Sequence, residues 1–164
     1  MRVVVTGGSG KLGRAVVDDL AANGYDVANV DAAPPRDARS EFTRIDLSEY
    51  GQVVEALTRI DSRFDHVDAV VHLAAIPGPG NSTNAATFAN NVVASYNVFA
   101  AARVAGIRNV VWASSETVLG LPFDEPPPYL PVDEEVPWHP ETPTPWARCS
   151  KRRWPASSAA GIRS

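Results

Sequence analysis

Cysteine is scarce in this chain, and clusters of basic residues and metal-binding patterns are missing from it. Cys149 is the only cysteine among 164 residues, which excludes an internal disulfide and a cysteine-rich metal site. The 15 basic and 19 acidic residues give a net charge of −4, without the basic cluster that nucleic-acid binding requires. His66 and His139 lack partners at metal-ligand spacing, and His72 is predicted to be a packed residue at a strand end. We therefore expect no metal and no nucleic acid.

Long hydrophobic runs are also missing. No apolar stretch approaches the roughly 20 residues that span a bilayer, and the first residues show neither the charged nor the apolar region of a signal peptide. We therefore expect a cytoplasmic protein that does not bind a membrane. The apolar content of 45% is that of one ordinary globular domain.

The most informative feature that is present is a β-branched run ending in a glycine-rich turn. Val3 to Val5 precede Gly7, Gly10 and Gly13, whose spacing is G-x-x-G-x-x-G and which lead into a helical pattern. Such glycines permit a tight turn, leave room for a pyrophosphate and let the helix pack closely on the strand. Backbone N–H groups at a helix N-terminus also bind phosphate. The turn is therefore predicted to bind a dinucleotide through its three glycines.

A second strand, predicted over 25–31, ends in an acid. At this position the carboxylate of Asp31 accepts a hydrogen bond from a ribose 2′-hydroxyl and repels a 2′-phosphate, which favours NAD over NADP. Arg14 and Arg36 are close in sequence, so NADP stays open as the less expected cofactor. The alternative interpretation is an ordinary strand-to-helix turn followed by a solvated loop acid.

Strand and helix patterns alternate up to about residue 120. Further strands are predicted over 42–47, 67–73 and 108–113, and further helices over about 53–60 and 84–105. This alternation predicts an α/β fold, a Rossmann-type doubly wound parallel sheet with helices on both faces.

Apolar spacing predicts which faces of two helices are buried. In the first helix the predicted face contains Leu12, Val16 and Leu20, and in the 84–105 helix it contains Phe88, Val92, Tyr96 and Phe99.

Six motifs along the chain resemble those of one family. They are the 6–13 turn, the Asp46-Leu47 pair, the 72–75 strand end, the helix segment that starts at Asn91, the 114–120 segment and the 131–135 loop. The chain resembles the NAD-dependent epimerase/dehydratase family of the extended short-chain dehydrogenase/reductase superfamily, over about residues 1 to 145. The resemblance implies further cofactor-binding residues: Ser9, Lys11, Leu12, Asp46, Leu47, Leu73, Ala74, Ala75, Asn91, Ala113 and Ser114.

The resemblance also implies hydride transfer from a sugar carbon. In the family a tyrosinate takes the hydroxyl proton, a lysine four residues later lowers the pKa of that tyrosine, and a Ser or Thr hydroxyl bonds the same oxygen. Ser115 stands at the Ser/Thr position and Lys151 is the candidate lysine. Trp146 stands where the tyrosine is expected, and its indole N–H cannot act as a base. Tyr129 is the only tyrosine nearby, and no motif places it at the catalytic position.

The character of the sequence changes at residue 146. Residues 146–164 include five basic residues and no acid. We expect an NAD(P)-binding Rossmann domain over 1–145, and an atypical basic tail over 146–164 that results from a truncation or frameshift. The alternative is a genuine short variant that binds the cofactor without the usual chemistry. On either interpretation the C-terminal strands and the substrate domain of the family are missing.

The predicted function is NAD-dependent epimerase/dehydratase-type oxidoreduction of a sugar or nucleotide-sugar, impaired in this chain. One alternative is a uronate (sugar-acid) dehydrogenase, which the Ala113-Ser114-Ser115 strand end resembles. A second alternative is a non-catalytic NAD-binding module, because the tyrosine is absent. Since the 84–105 helix often pairs with a second subunit in this family, a homodimer through that helix is a further prediction.

Overall fold

The centre of the fold is a parallel sheet of five strands. A computed structural model of the chain describes residues 1–37, 40–58, 66–77, 81–120 and 126–138. The strands are β1 (Arg2–Thr6), β2 (Asp26–Asp31), β3 (Glu41–Arg44), β4 (Ala69–His72) and β5 (Asn109–Trp112), in the order β3-β2-β1-β4-β5. The helices are α1 (Lys11–Ala22), α2 (Tyr50–Thr58) and α3 (Asn84–Val104), followed by a short 3-10 helix over Glu116–Leu119.

The strand order reverses between β1 and β4. The chain first builds outward from β1 to β3 and then continues on the other side of β1 with β4 and β5, every pair being parallel. In the register, Thr6 lies beside Val30 on one side and beside His72 on the other. The carboxyl ends of these strands therefore meet at one edge, which is where open α/β sheets bind their ligands.

Helices cover both faces of the sheet, because β1 alternates its valines between two cores. Val3 and Val5 belong to one buried cluster with Val17 of α1. Val4 lies in the other cluster, with residues from α2 and α3, including Val53 and Val98. The predicted doubly wound Rossmann-type fold is therefore confirmed.

The predicted buried face of α1 is wrong at its first residue. Val17 is buried, and Val16 and Leu20 pack against the same cluster, but Leu12 is 58% exposed. The first turn of α1 contacts the glycine turn through the buried Gly13, and a residue one position earlier points away from the sheet.

The predicted buried face of α3 is also partly wrong. Phe88 is 45% and Tyr96 57% exposed, whereas Val92 and Phe99 are half-buried. The side of α3 that is buried consists of small and polar residues, among them Ala94, Ser95, Asn97, Val98, Ala101 and Ala102. Small side chains let a helix approach the sheet closely, and the polar ones gain hydrogen-bond partners there.

The chain divides into two units, which are described separately. The first, residues 1–75 and 93–113, contains the whole sheet; the second contains residues 76–92 and those from 114 onward. None of the helices in the described ranges is long and apolar enough to cross a membrane. The predicted boundary at residue 145 and the tail that follows it lie outside the described residues.

Candidate functional site

The glycine turn is packed so tightly that side chains are excluded at two of its three motif glycines. Gly7 has a φ of +74°, and a Cβ there would lie 2.6 Å from the backbone nitrogen of Ala74, just beyond β4. A Cβ on Gly13 would overlap the carbonyl oxygen of Gly7. The turn is closed by hydrogen bonds from Gly7 N–H to Val30 O (3.0 Å) and from Gly10 N–H to Gly7 O (3.1 Å).

The N-terminus of α1 opens directly from this turn. Gly10 is the N-cap and supplies no side-chain acceptor. Within the described residues, no acceptor pairs with the backbone N–H groups of Lys11 and Leu12. Unpaired N–H groups and the positive end of the helix dipole together favour an anion, and the exposed Lys11 adds a full positive charge.

Asp31 connects the end of β2 to the glycine turn. Its Oδ2 accepts a hydrogen bond from the backbone N–H of Ser9 at 3.1 Å, and its Oδ1 accepts one from Ala33 N–H at 3.1 Å. An ionised carboxylate has about four acceptor positions, so two remain for the hydroxyl groups of a ligand. Asn29, two residues earlier and facing α1, donates from Nδ2 to Ser9 Oγ at 3.1 Å.

The loop after β3 is fixed from two directions. Asp46 Oδ1 accepts hydrogen bonds from the Ser48 hydroxyl (2.7 Å) and the Ser48 N–H (2.8 Å), and these bonds hold the pKa of Asp46 below its ordinary value. The backbone carbonyls of Leu47 and Ser48 both accept from Nδ2 of Asn97 on α3, at 2.9 Å each. Asn97 lies in the helix segment that resembles the family, but its contact with this loop was not predicted, because the two become adjacent only in the fold.

His72 is a packed residue at the end of β4, as predicted. It is fully buried, with Nδ1 2.7 Å from Thr6 Oγ1 and Nε2 3.1 Å from Ser95 Oγ. Thr6 Oγ1 also accepts the N–H of Ala74 at 3.4 Å, and Ala113 N–H donates to the His72 carbonyl at 3.1 Å. The imidazole thus connects β1, β4 and α3. It lies directly before residues 73–75, which the resemblance assigns to cofactor binding.

In the second unit, Asn91 holds the loop that follows β4. Its Oδ1 accepts from Ile76 N–H at 2.8 Å and its Nδ2 donates to Ile76 O at 3.1 Å, so the amide of this buried residue is bonded to the backbone. A cofactor contact through Asn91 stays a prediction.

Ser114 and Ser115 precede the 3-10 helix of the second unit. Ser115 is its N-cap: its Oγ accepts from Thr117 N–H at 3.3 Å and lies 2.7 Å from Thr117 Oγ1. The buried Oγ of Ser114 has no hydrogen-bond partner within the described residues. A role for either serine in binding the cofactor or the substrate stays a prediction.

Tyr129 is not arranged as a tyrosinate base. Its hydroxyl donates to Asp133 Oδ1 at 2.6 Å, and this bond, with the nearby carboxylate charge, raises the pKa of Tyr129 above its ordinary value. A catalytic tyrosine requires a neighbouring cation and a lowered pKa. Trp146 and Lys151 lie outside the described residues, so the catalytic role of Lys151 stays a prediction.

The first unit therefore brings together most of the residues expected to bind the cofactor. They lie at or just after the carboxyl ends of the five strands: Gly7, Ser9, Gly10, Lys11, Leu12 and Gly13 after β1, Asp31 at the end of β2, Asp46 and Leu47 after β3, Leu73, Ala74 and Ala75 after β4, and Ala113 after β5. A parallel sheet with a glycine turn, an open helix N-terminus and an acid at the end of β2 defines a Rossmann-type dinucleotide-binding domain.

One family model matches most of the chain. The model described as "NAD dependent epimerase/dehydratase family" matches residues 3–148, and the chain belongs to that family. A UDP-glucose 4-epimerase from Mycolicibacterium smegmatis is 32% identical over 150 residues, which cover 87% of this chain and 46% of that protein. The chain spans less than half the length of the first curated relatives it matches.

Two solved structures illustrate the similarity of fold. A short-chain dehydrogenase/reductase superfamily protein from Agrobacterium tumefaciens, with bound NAD, aligns with a TM-score of 0.77 and 30% identity, over 91% of this chain and 42% of its own. A mutated uronate dehydrogenase aligns with a TM-score of 0.72 and 26% identity, over 90% of this chain and 50% of its own.

Proposed function

We propose that this chain binds NAD along the carboxyl edge of its sheet. The observation that carries the proposal is the hydrogen bond between Asp31 and Ser9, because it joins the acid expected at the ribose to the turn expected at the pyrophosphate. The tight packing at Gly7 and Gly13 leaves the turn free of side chains, so a phosphate can approach its backbone. The relative from Agrobacterium tumefaciens was solved with this cofactor.

The charges near the turn support NAD rather than NADP. Arg14 lines an open cleft beside α1, but Asp18 and Asp37 line the same cleft. A 2′-phosphate next to Asp31 would meet the negative charge of that carboxylate. Like charges repel, whereas a 2′-hydroxyl can donate a hydrogen bond to the carboxylate of Asp31.

We further propose that the reaction is the oxidoreduction of a sugar or nucleotide-sugar, of the epimerase/dehydratase type. Bound NAD supplies the acceptor for a hydride. In the family pattern, the Ser115 hydroxyl bonds the oxygen of the substrate that loses its proton. Trp146 cannot take that proton, and Tyr129, as hydrogen-bonded here, is a poor substitute. Turnover by this chain is therefore expected to be low.

Two alternative functions have specific support. A uronate dehydrogenase is among the aligned structures, and such an enzyme would release the reduced cofactor instead of returning the hydride to the sugar. A non-catalytic NAD-binding module is favoured by Trp146 at the tyrosine position. These alternatives differ in one measurable product, the reduced nicotinamide.

We also propose a homodimer through α3. Val93, Tyr96 and Val104 on this helix are 41%, 57% and 66% exposed, an apolar stripe that a second copy would cover. Light scattering on the wild type and on Val93→Glu tests this: the variant should be monomeric. Val111→Glu, which changes a valine of β5 that is more exposed than Val93, is the matched control and should leave the dimer intact. A monomeric wild type at high concentration rejects the dimer.

The binding proposal is tested by titration of the full chain with NAD and with NADP, followed by tryptophan fluorescence. Tighter binding of NAD is expected, and no binding of either nucleotide at millimolar concentration rejects the proposal.

The absorbance of reduced nicotinamide, recorded with a panel of sugar acids, then tests the uronate alternative. Product analysis with a panel of nucleotide-sugars tests epimerisation. Rapid turnover in either assay would contradict the expected effect of Trp146.

A further inference from the structure

A buried asparagine lies directly below the glycine turn. Asn29 in β2 is only 1% exposed, and its side chain is on the face of the sheet that α1 covers. Its Nδ2 donates to Ser9 Oγ at 3.1 Å. Its Oδ1 is buried and has no hydrogen-bond partner among the described residues. The neighbours of Asn29 inside this core are Val5 of β1 and Val27 of β2, so an amide here is unexpected for a core position.

The unpaired oxygen of Asn29 faces Gly8. A Cβ built on Gly8 would overlap Oδ1 and would lie 2.6 Å from Cγ of Asn29. Gly8 does not have a positive φ. The backbone conformation therefore does not require glycine at this position, whereas contact with the asparagine does. Oδ1 therefore lies against the backbone of Gly8, whose Cα hydrogens are weak donors at best.

An unsatisfied buried acceptor destabilises a fold, and an apolar residue of similar shape often removes this penalty. Asn29 therefore does not improve the core. Its amide instead holds two consecutive residues of the turn: it binds Ser9 through a hydrogen bond and lies in close contact with Gly8. The N–H of the same Ser9 is bonded to Asp31 at 3.1 Å. Asn29 and Asp31 thus both hold Ser9, Asn29 through its hydroxyl and Asp31 through its backbone N–H.

We propose that Asn29 is a positioning residue for dinucleotide binding. It does not touch the ligand; it holds Gly8 and Ser9 in the conformation that presents the following N–H groups to a pyrophosphate. This inference rests on the proposed NAD site for its effect on affinity. Its effect on the turn itself requires no ligand.

The first test measures the turn in the ligand-free chain. Amide hydrogen exchange of Ser9 and Gly10 is compared between the wild type and Asn29→Leu, a near-isosteric change without the amide. We expect roughly tenfold faster exchange at these two positions, with unchanged exchange in the centre of β1 and β4. Asn29→Ala serves as a second variant if the leucine proves too large. Asn109→Leu, at the opposite end of the sheet, is the matched control and should not change the turn.

The second test measures affinity and thermal stability of the same variants. Asn29→Leu should raise the Kd for NAD by roughly threefold to tenfold without lowering the melting temperature. The effect should be smaller in a Ser9→Ala background, because the amide then has no hydroxyl to hold and keeps only its contact with Gly8. Asn109→Leu should leave the Kd unchanged.

The outcomes separate this inference from the proposed function. Faster exchange in the turn with weaker NAD binding supports the positioning role. Unchanged exchange at Ser9 and Gly10 overturns it, as does a lowered melting temperature with faster exchange throughout the sheet, which marks a purely structural residue. If the wild type binds no NAD, the proposed function fails, and the exchange data alone decide whether Asn29 positions the turn.

Discussion

Asp31 and Ser9 are joined by a hydrogen bond of 3.1 Å between the carboxylate of one and the backbone N–H of the other. The bond connects two segments that the sequence separates by 22 residues and that a dinucleotide would contact at different groups. Because the same carboxylate also accepts from Ala33 N–H, Asp31 organises the turn in addition to its proposed contact with a ribose. Changes at Asp31 should therefore affect cofactor choice and turn conformation together.

Asp31→Asn is the sharpest test of cofactor choice. The substitution keeps the shape but removes the charge and one acceptor, so the charge-assisted bonds to N–H and hydroxyl groups weaken. We expect the Kd for NAD to rise roughly tenfold to a hundredfold. The Kd for NADP should change much less, because repulsion of the 2′-phosphate is relieved at the same time.

Fluorescence titration of both nucleotides measures this change. Asp19→Asn is the matched control: it makes the same chemical change near the far end of α1, where Asp19 contacts Asn23. An equal loss of NAD and NADP affinity in Asp31→Asn would mean that Asp31 only supports the turn and does not select the cofactor.

Gly7→Ala and Gly24→Ala separate steric contact from backbone strain. Both glycines have a positive φ, +74° and +81°, so alanine is strained at either position by roughly 1–2 kcal/mol. A Cβ on Gly24 meets nothing within 4 Å, whereas a Cβ on Gly7 lies 2.6 Å from Ala74 N. Gly7→Ala should therefore lower the free energy of unfolding by about 1–3 kcal/mol more than Gly24→Ala.

Urea denaturation of the two variants gives the comparison. Equal losses of stability would show that the turn can move away from Ala74 without penalty. The dinucleotide titration should separate the variants further, because only Gly7 belongs to the predicted binding turn.

Gly8→Ala should be rescued by a second substitution. The added methyl overlaps the amide of Asn29, and this overpacking should lower stability by about 1–3 kcal/mol. In an Asn29→Ala background the nearest remaining atom is the Cβ of residue 29, at 3.2 Å, which small shifts can accommodate. The double variant should therefore be more stable than the two single losses predict, a coupling of roughly 1–2 kcal/mol.

Thermal and urea denaturation measure the free energy of unfolding of the wild type, the two single variants and the double variant, which together form a double-mutant cycle. Strictly additive losses would show that the side chain of Asn29 does not press against Gly8 in solution.

The elements around the turn were predictable because their signals are local. The run Val3 to Val5, the three glycines and Asp31 are contiguous or follow one another along the chain, and each was found where predicted. The strand bounds differ by a few residues: the segment predicted over 42–47 pairs only over Glu41–Arg44, because the chain turns into the loop that carries Asp46.

Interactions that depend on the packing of distant elements were not predictable. Periodicity favoured Phe88 and Tyr96 as buried on α3, but the sheet packs on a face of small and polar residues. Asn97 looks like a poor core residue until the carbonyls of Leu47 and Ser48, about 50 residues earlier, accept its N–H groups. Asn29 likewise gains its role only when the turn folds over it. Single-sequence patterns rank such residues by hydropathy and therefore miss them.

The carboxylate of Asp46 provides a prediction that depends on pH. Hydrogen bonds from the hydroxyl and the N–H of Ser48 lower the pKa of Asp46 in the folded chain. A lowered pKa means that the ionised form is favoured by folding. Its contribution to stability is therefore complete above the unfolded pKa of about 3.9 and is lost as the pH falls through the lower folded value.

Ser48→Ala removes the larger of the two effects, the hydroxyl bond, while the backbone bond remains. We expect the pKa of Asp46 to rise toward, but not reach, its ordinary value, as followed by the carboxyl carbon shift in an NMR titration. The acid limb of the unfolding curve should move slightly to higher pH; because Asp46 is exposed, solvent screening keeps this change small. Thr58→Ala, which removes an exposed hydroxyl bonded only within α2, is the matched control and should leave the pKa of Asp46 unchanged. An unchanged Asp46 titration in Ser48→Ala would show that the hydroxyl of Ser48 bonds to water rather than to the carboxylate.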